Sequence, residues 1–177
     1  MIEKRSGLKA YFEKMKGQGA KAPPRVNNNY IFWSWVGSFT GIFIVAAITY
    51  RAHVPMMIGS FGASAVLIYS AIEGPLSQPR NLIGGHVISA IIAVTIYQAM
   101  GRTDFSVALA VSLAIVAMLA TRTLHPPGGA TALIAVNTEQ GWSFVAYPVL
   151  AGAVILLIVA VVVNNLSDQR HYPKNWI

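Results

Sequence analysis

The sequence predicts an all-α membrane protein of about six transmembrane elements, arranged as two inverted three-element repeats in which the middle element is broken. Three observations predict this fold. Apolar residues make up 55% of the chain and charged residues only 11%. Apolar stretches near the roughly 20 residues that cross a bilayer recur along it. A pattern of glycine and small residues occurs twice, at Gly59-Ser60-Phe61-Gly62-Ala63-Ser64 and at Pro127-Gly128-Gly129-Ala130-Thr131-Ala132.

Residues 1–29 are predicted to form a basic cytoplasmic tail with a short amphipathic helix. Leu8, Tyr11, Phe12 and Met15 have helical spacing, and a frayed tail is the alternative. The cations ahead of the first span favour anionic lipid headgroups as partners over nucleic acid, because a membrane chain concentrates cations in cytoplasmic segments. They are Lys4, Arg5, Lys9, Lys14, Lys16, Lys21 and Arg25.

The first repeat covers about residues 30–100 of the transmembrane domain, which itself covers residues 30–166. Its first span is predicted at 30–50 and its third at about 82–100. Between them, the apolar element at about 55–72 is interrupted by Gly59 and Gly62, so only its later part is expected to be regular helix.

The second repeat covers about residues 105–166, with spans at about 105–119 and 147–163. Its middle element is broken because Pro126 and Pro127 fix φ and lack N–H donors, and Gly128 and Gly129 follow. A helix from about residue 127 to 136 is only ~15 Å long at 1.5 Å per residue, which is half the hydrocarbon thickness. Such a segment must lie inside the bundle.

The distribution of charge predicts the orientation. An odd number of elements per repeat makes the two repeats run in opposite directions. With both termini cytoplasmic, including a C-terminal tail at 167–177, most cations face inward and only Arg51 and Arg102 face outward, as the positive-inside rule requires.

Inversion would bring the N-termini of the two short helices together near mid-membrane. Helix N-termini offer free backbone N–H groups and a positive dipole end, which together favour an anion. Added bulk at Gly129 is expected to reduce uptake. The alternative is that the small residues only permit close helix packing. The candidate substrate-binding residues are Ser60, Gly62, Ala63, Ser64, His125, Gly128, Gly129, Ala130 and Thr131.

Histidine and arginine residues beside the broken elements are candidates for further roles. His125 is a candidate proton carrier or donor because imidazole titrates near neutral pH; a histidine that caps a carbonyl is the alternative. Arg122, His86, Arg80 and Asn81 are candidate pathway or gating residues. The topology alone also accounts for cations at the ends of spans.

The sequence also disfavours several classes of function. The six acidic residues all lie in tails or links, so cation transport through a buried carboxylate is not expected. The chain has no cysteine, no metal-ligand spacing and no nucleophile motif, so we expect no enzyme, no metal and no cofactor. The acidic residues are Glu3, Glu13, Glu73, Asp104, Glu139 and Asp168.

The two small-residue motifs and the link from Pro75 to His86 resemble the HPP family of integral membrane proteins. The resemblance covers about residues 33–163 and includes His125-Pro126-Pro127-Gly128-Gly129. Members of that family in plastids and cyanobacteria are associated with nitrite transport. The resemblance therefore implies a transporter for a small anion, with nitrite as the first candidate.

We therefore expect a transporter or channel for a small inorganic anion, most simply a homodimer. Because no transit-like leader is visible, we expect the bacterial inner membrane. The alternatives are a non-transporting scaffold or partner subunit and a membrane enzyme in which His125 is a base. Channel or carrier, direction, and nitrite against nitrate, formate or bicarbonate stay open.

Overall fold

The computed structural model describes residues 8–16, 19 and 22–177, and the regular structure of that part is helical, without strands. A 3₁₀ turn, Pro75–Ser77, precedes α4, and a π-helical segment, Val145–Leu150, leads into α7. The predicted all-helical class is confirmed. The helices are α1 Leu8–Met15, α2 Asn28–Arg51, α3 Ser60–Ser70, α4 Pro79–Met100, α5 Asp104–Ala120, α6 Pro126–Asn137 and α7 Ala151–Asn164.

Three helical segments in the described part are long and apolar enough to cross a membrane: Asn28–Arg51, Pro79–Met100 and Val145–Asn164. The two middle elements are short, with 11 residues in α3 and 12 in α6. Six helices therefore follow α1 in the predicted order. Their arrangement as six membrane crossings in inverted repeats stays a prediction.

Local chemistry explains where several helices begin. The Asn27 side chain accepts a hydrogen bond from the Tyr30 N–H at 2.8 Å and caps α2. Thr103 and Ser106 form a capping box at the start of α5. Proline is favoured in a first turn, where its missing N–H has no partner to lose, and α4 and α6 both begin with proline.

Hydrogen bonds tie the helix ends into two groups. We call the end of the bundle at which α2 begins, next to the N-terminal tail, the tail end, and the opposite end the far end. At the tail end, the Tyr30 hydroxyl donates to the Ser70 carbonyl (3.1 Å), and Arg80 Nη2 donates to the Thr121 carbonyl (2.8 Å). At the far end, Arg102 Nη1 donates to the Asn137 carbonyl (3.2 Å). Thus α2 and α4 begin, and α3 and α5 end, at the tail end, whereas α6 ends at the far end.

Helices α4 and α6 approach each other closely at Gly85 and Gly128. A Cβ added at Gly128 would lie 2.8 Å from the Gly85 carbonyl oxygen and 2.8 Å from Ser89 Oγ. A Cβ added at Gly85 would lie 2.5 Å from the Cβ of His125. Small residues of this kind allow membrane helices to approach closely. The approach fixes where His125 sits against α4.

The C-terminal segment, which the sequence predicts as a cytoplasmic tail, packs against the bundle. Arg170 and Tyr172 are buried. Arg170 Nη1 donates to the Tyr30 carbonyl at 3.1 Å, and the Tyr172 hydroxyl donates to the Ser77 carbonyl at 2.7 Å. Residues 167–177 therefore pack on the tail end of the bundle.

The N-terminal segment contains α1, whose apolar side chains Leu8, Tyr11, Phe12 and Met15 are exposed. Contact of this helix with lipid stays a prediction. Glu3, Lys4, Arg5 and Lys21, which the sequence places in the same tail, lie outside the described residues.

Candidate functional site

Five polar side chains lie buried where α3, α4 and α6 meet, and each is at most 1% exposed. Uncompensated polar groups are costly in a membrane interior, so such a group needs internal partners. We call this set the polar cluster. Its members are Ser60, Ser64, His86, His125 and Thr131.

Helix geometry brings these residues together. Ser60 and Ser64 lie one turn apart on the same face of α3. His125 is the residue that precedes α6, and Thr131 lies within that helix. Ser60 contacts Thr131, whereas Ser64 contacts His125, so the order of contacts along the two helices is reversed. The N-terminal parts of α3 and α6 therefore pass each other in opposite directions.

Short hydrogen bonds join the cluster into one chain. Ser64 Oγ lies 2.7 Å from His86 Nε2 and 2.9 Å from His125 Nε2. His86 Nδ1 lies 2.7 Å from Thr131 Oγ1, which lies 2.9 Å from Ser60 Oγ. Ser64 is thus the bridge between the two imidazole rings.

The Leu76 backbone carbonyl determines which atom donates and which accepts in the hydrogen bonds from His125 to Thr131. His125 Nδ1 lies 2.9 Å from the Leu76 carbonyl oxygen, which can only accept, so Nδ1 carries the hydrogen. In the neutral ring, Nε2 of His125 must then accept the single Ser64 hydroxyl hydrogen. Ser64 Oγ in turn accepts from His86 Nε2–H, which leaves His86 Nδ1 to accept from Thr131. Ser60 Oγ is the further partner of Thr131 Oγ1, at 2.9 Å, and the Ser60 carbonyl lies 3.2 Å from Ser64 Oγ.

Surrounding groups hold the two imidazoles in place. The edge of the Phe61 ring meets His86, with centroids 5.4 Å apart and planes at 77°. The two imidazole centroids are 5.0 Å apart. Asn81 Nδ2 donates to the Leu124 carbonyl at 2.8 Å, directly before His125. Asn81 is therefore a positioning residue for the backbone that carries His125.

The other predicted binding residues are divided by the helix faces on which they lie. Gly128 is buried against α4. Gly62, Ala63 and Ala130 are exposed on the outer faces of their helices. Gly129 is partly exposed, and a Cβ added there would have no atom within 4 Å.

The backbone donors that the sequence predicts for the site have other partners. The N–H groups of Phe61 and Gly62 donate to the carbonyls of Ile58 (3.0 Å) and Gly59 (3.2 Å). The Gly128 N–H donates to the His125 carbonyl at 2.8 Å, and the two prolines before it have no N–H. These tight first turns satisfy their own donors, so the polar groups gathered here are side chains.

His86 has a more central place than the sequence indicates. The sequence places it only among the pathway candidates, whereas in the structure it joins Ser64 of α3 to Thr131 of α6. The available signal was an ionisable residue within an apolar span, which by itself suggests function. The motif does not show which face of α4 carries the ring.

A cleft of about 290 Å³ opens at the tail end beside the cluster. Arg122 lies just after the end of α5 and has φ 58°. This conformation lets the Thr123 N–H donate back to the Met118 carbonyl at 2.9 Å. The described residues that line this tail-end cleft include two arginines and no aspartate or glutamate. They are Pro75, Arg80, Asn81, Arg122, Asn175 and Ile177.

A second opening, of about 690 Å³, lies at the far end. Gly59 lines it, directly before Ser60, and so does Ile134, about one turn after Thr131. We call it the far-end pocket. The polar cluster thus lies between an opening at each end of the bundle. Among the described residues, no group of three or more His, Cys, Asp or Glu is placed to hold a metal ion.

Long apolar helices, two short helices and a buried polar cluster define an integral membrane protein of the helical-bundle class. The family described as HPP, transmembrane region, matches residues 23–173. The chain belongs to this HPP family, which confirms the resemblance found in the sequence.

Two transmembrane proteins of Dictyostelium discoideum are similar to the chain. One is 47% identical over 94% of this chain and 57% of its own length. The other is 48% identical over 94% of this chain and 63% of its own length. The chain thus spans about three-fifths of the length of these relatives. No solved structure matches it.

Proposed function

We propose that this protein is a transporter or channel for a small inorganic anion, with nitrite as the first candidate. The observation that carries the proposal is the polar cluster. Its five side chains are hydroxyls and imidazoles, with no carboxylate among them, and they lie where the two short helices meet α4 inside an apolar bundle. Ionisable groups at such depth are costly and are kept mainly for function.

The openings supply a route. Arg80 and Arg122 give the tail-end cleft a positive charge that attracts anions from solution. The His125 ring contacts the carbonyl of Leu76, the residue that follows Pro75 of the cleft lining. The positive dipole end of α6 adds attraction for an anion beside His125. Because the cluster is closed to solvent, an anion must replace at least one of its internal hydrogen bonds in order to pass.

The nature of the substrate follows from the chemistry of the donors. Hydroxyls and imidazoles suit a small anion with oxygen acceptors, which nitrite shares with nitrate, formate and bicarbonate. The family resemblance favours nitrite among these. The names of the two Dictyostelium relatives state only that they are transmembrane proteins.

The proposal includes a setting in the membrane. We place both termini on the cytoplasmic side of a bacterial inner membrane, with the basic N-terminal tail on anionic lipids. The six helices after α1 then form two inverted repeats, with α3 and α6 as the broken middle elements. A homodimer is the simplest assembly that would enclose so small a bundle.

Transport is tested by nitrite influx into liposomes containing the purified protein, with chloride, nitrate and formate as competitors. Thr131→Val keeps the shape but removes the hydroxyl, which leaves His86 Nδ1 without a donor. We expect saturable flux to fall about tenfold or more, since an unpaired buried acceptor costs about 1–3 kcal/mol.

Two variants serve as controls for this test. Thr131→Ser keeps the hydroxyl and should keep most of the flux. Thr95→Val removes an exposed α4 hydroxyl that contacts only the Ile91 carbonyl, at 2.8 Å, and should behave as wild type. Wild-type flux in Thr131→Val would exclude the polar cluster as the site, and absence of any anion flux would favour the scaffold alternative.

A further inference from the structure

We propose that the polar cluster is a proton relay that couples one proton to each anion carried, so that transport is electroneutral symport. This inference rests on the proposed anion transport and specifies its driving force. It assigns His86 and His125 as the groups that hold the proton, and Ser60, Thr131 and Ser64 as the hydroxyls that pass it.

The relay lies between the two openings. Ser60 adjoins Gly59, which lines the far-end pocket. At the other end, the Leu76 carbonyl that His125 contacts follows Pro75, which lines the tail-end cleft. The steps between Ser60 and His125 are 2.7–2.9 Å long. Distances in this range suit proton transfer along a hydrogen bond.

Each transfer balances in atoms and charge. A proton that arrives at Ser60 Oγ makes Ser60 the donor to Thr131, which accepts the Ser60 hydrogen and passes its own hydrogen to His86 Nδ1. His86 releases its Nε2 hydrogen to Ser64, whose own hydrogen bonds to His125 Nε2. Each O–H or N–H bond that breaks is replaced by one that forms. The result is a single positive charge on His125, with the three hydrogen bonds between Thr131 and His125 reversed.

The Leu76 carbonyl prevents free leakage. The second hydrogen of the charged His125, on Nδ1, faces an oxygen that cannot take it. Release into the tail-end cleft therefore requires the ring to leave Leu76 and meet water. The same movement opens the place where an anion can contact His125, so proton and anion leave together.

The charged groups around the cluster explain why an anion must accompany the proton. Helix α3 presents two hydroxyls, α4 presents His86 with Arg80 at its start, and α6 presents Thr131. The α5–α6 link adds Arg122. The described acidic residues are all exposed, away from the cluster: Glu13, Glu73, Asp104, Glu139 and Asp168.

A charged imidazole in this place therefore has only cations and neutral groups as neighbours. An isolated charge in a low-dielectric interior is unfavourable, whereas a charge paired with an opposite one is far less so. The transported anion is then the counterion that the fold does not supply. Proton and anion each raise the affinity for the other, as linkage requires.

The coupling is tested in proteoliposomes in which potassium and valinomycin clamp the membrane potential, while a pH gradient is imposed separately. Vesicles without protein give the leak of the undissociated acid, which is subtracted. We expect nitrite influx to follow the inward proton gradient and not to respond to the potential. His86→Gln keeps hydrogen-bonding groups but cannot hold the proton, so gradient-driven influx should fall about tenfold or more.

The outcomes separate the two proposals. Nitrite influx that follows the potential and ignores the proton gradient would overturn the relay and leave anion transport standing. Absence of nitrite influx would overturn both. A second measurement needs no variant: titration calorimetry of wild-type protein with nitrite, in buffers of different ionisation enthalpy, should show uptake of about one proton per anion bound. Binding without proton uptake would overturn the relay.

Discussion

Ser64 holds the two imidazole rings of the polar cluster with a single hydroxyl group. Its Oγ lies 2.7 Å from His86 Nε2 and 2.9 Å from His125 Nε2. Ser64→Ala would leave both nitrogens without that partner. We expect the variant to lose about 1–3 kcal/mol of stability and most anion flux.

The measurement is the midpoint of thermal unfolding of the detergent-solubilised protein, together with flux. Ser112→Ala, which removes an exposed α5 hydroxyl bonded to the Leu109 carbonyl at 3.0 Å, is the matched control. Equal midpoints for the two variants would show that the hydroxyl of Ser64 does not join the rings.

At the scale of single residues, the sequence indicates which residues belong to the site better than it indicates the helix face on which each one lies. Ser60, Ser64, Thr131 and His125 belong to motifs that indicate the site, and the structure brings these four together. Gly62 and Ala63 belong to the same motif, but they face outward. The rotation of a short helix about its axis depends on what it packs against, and no periodic pattern in so short a segment shows it.

At the scale of helices, two adjacent glycines of α6 provide a matched pair. A Cβ at Gly128 would lie 2.8 Å from the Gly85 carbonyl oxygen and 3.0 Å from Met118 Sδ, whereas one at Gly129 would meet nothing within 4 Å. Gly128→Ala should therefore separate α6 from α4, lower stability by about 1–3 kcal/mol and reduce flux. Gly129→Ala should leave both close to wild type.

Thermal unfolding and nitrite flux of the two variants check this prediction, and equal effects would contradict the packing. The sequence selects Gly129 as the position where added bulk reduces uptake, whereas the structure favours Gly128 for this test. The sequence indicates the break in the helix through the prolines and glycines. It does not indicate which glycine faces α4.

At the scale of the whole molecule, Arg170 joins three helices to the C-terminal segment. Its guanidinium donates to the Tyr30 carbonyl and Ser34 Oγ of α2, to the Tyr69 carbonyl of α3 and to Asn164 Oδ1 of α7. It also lies 4.4 Å from the centroid of the Tyr30 ring. Burial lowers the pKa of this guanidinium from its ordinary value, because a low dielectric penalises the charged form. The surrounding oxygen acceptors offset that cost.

Arg170→Met would leave these acceptors without a donor, so we expect a loss of about 2–4 kcal/mol and release of the C-terminal segment. Lys174→Met is the control, because the 3.0 Å ion pair of Lys174 with Glu73 is exposed and contributes little. Unfolding midpoints and proteolysis of residues 167–177 report the outcome. A stable Arg170→Met variant with a protected segment would contradict the prediction.

For the whole molecule, the sequence predicts the fold class well but does not predict how the C-terminal segment packs on the helices. Apolar length and the repeated motif predict the helices in order, because hydrophobic spans and proline breaks are local signals. The packing of Arg170 and Tyr172 depends on carbonyls from distant parts of the chain, such as Ser77. The sequence therefore predicts a tail in this place but not the packing of its side chains.

The central claim is that small anions cross the membrane through the polar cluster. The most direct test is nitrite influx into proteoliposomes, measured against chloride, for wild type, Thr131→Val and Thr95→Val in one preparation. We expect saturable, nitrite-selective influx for wild type and Thr95→Val, and a loss of about tenfold or more for Thr131→Val. Equal influx in all three proteins, or none in wild type, would contradict the claim.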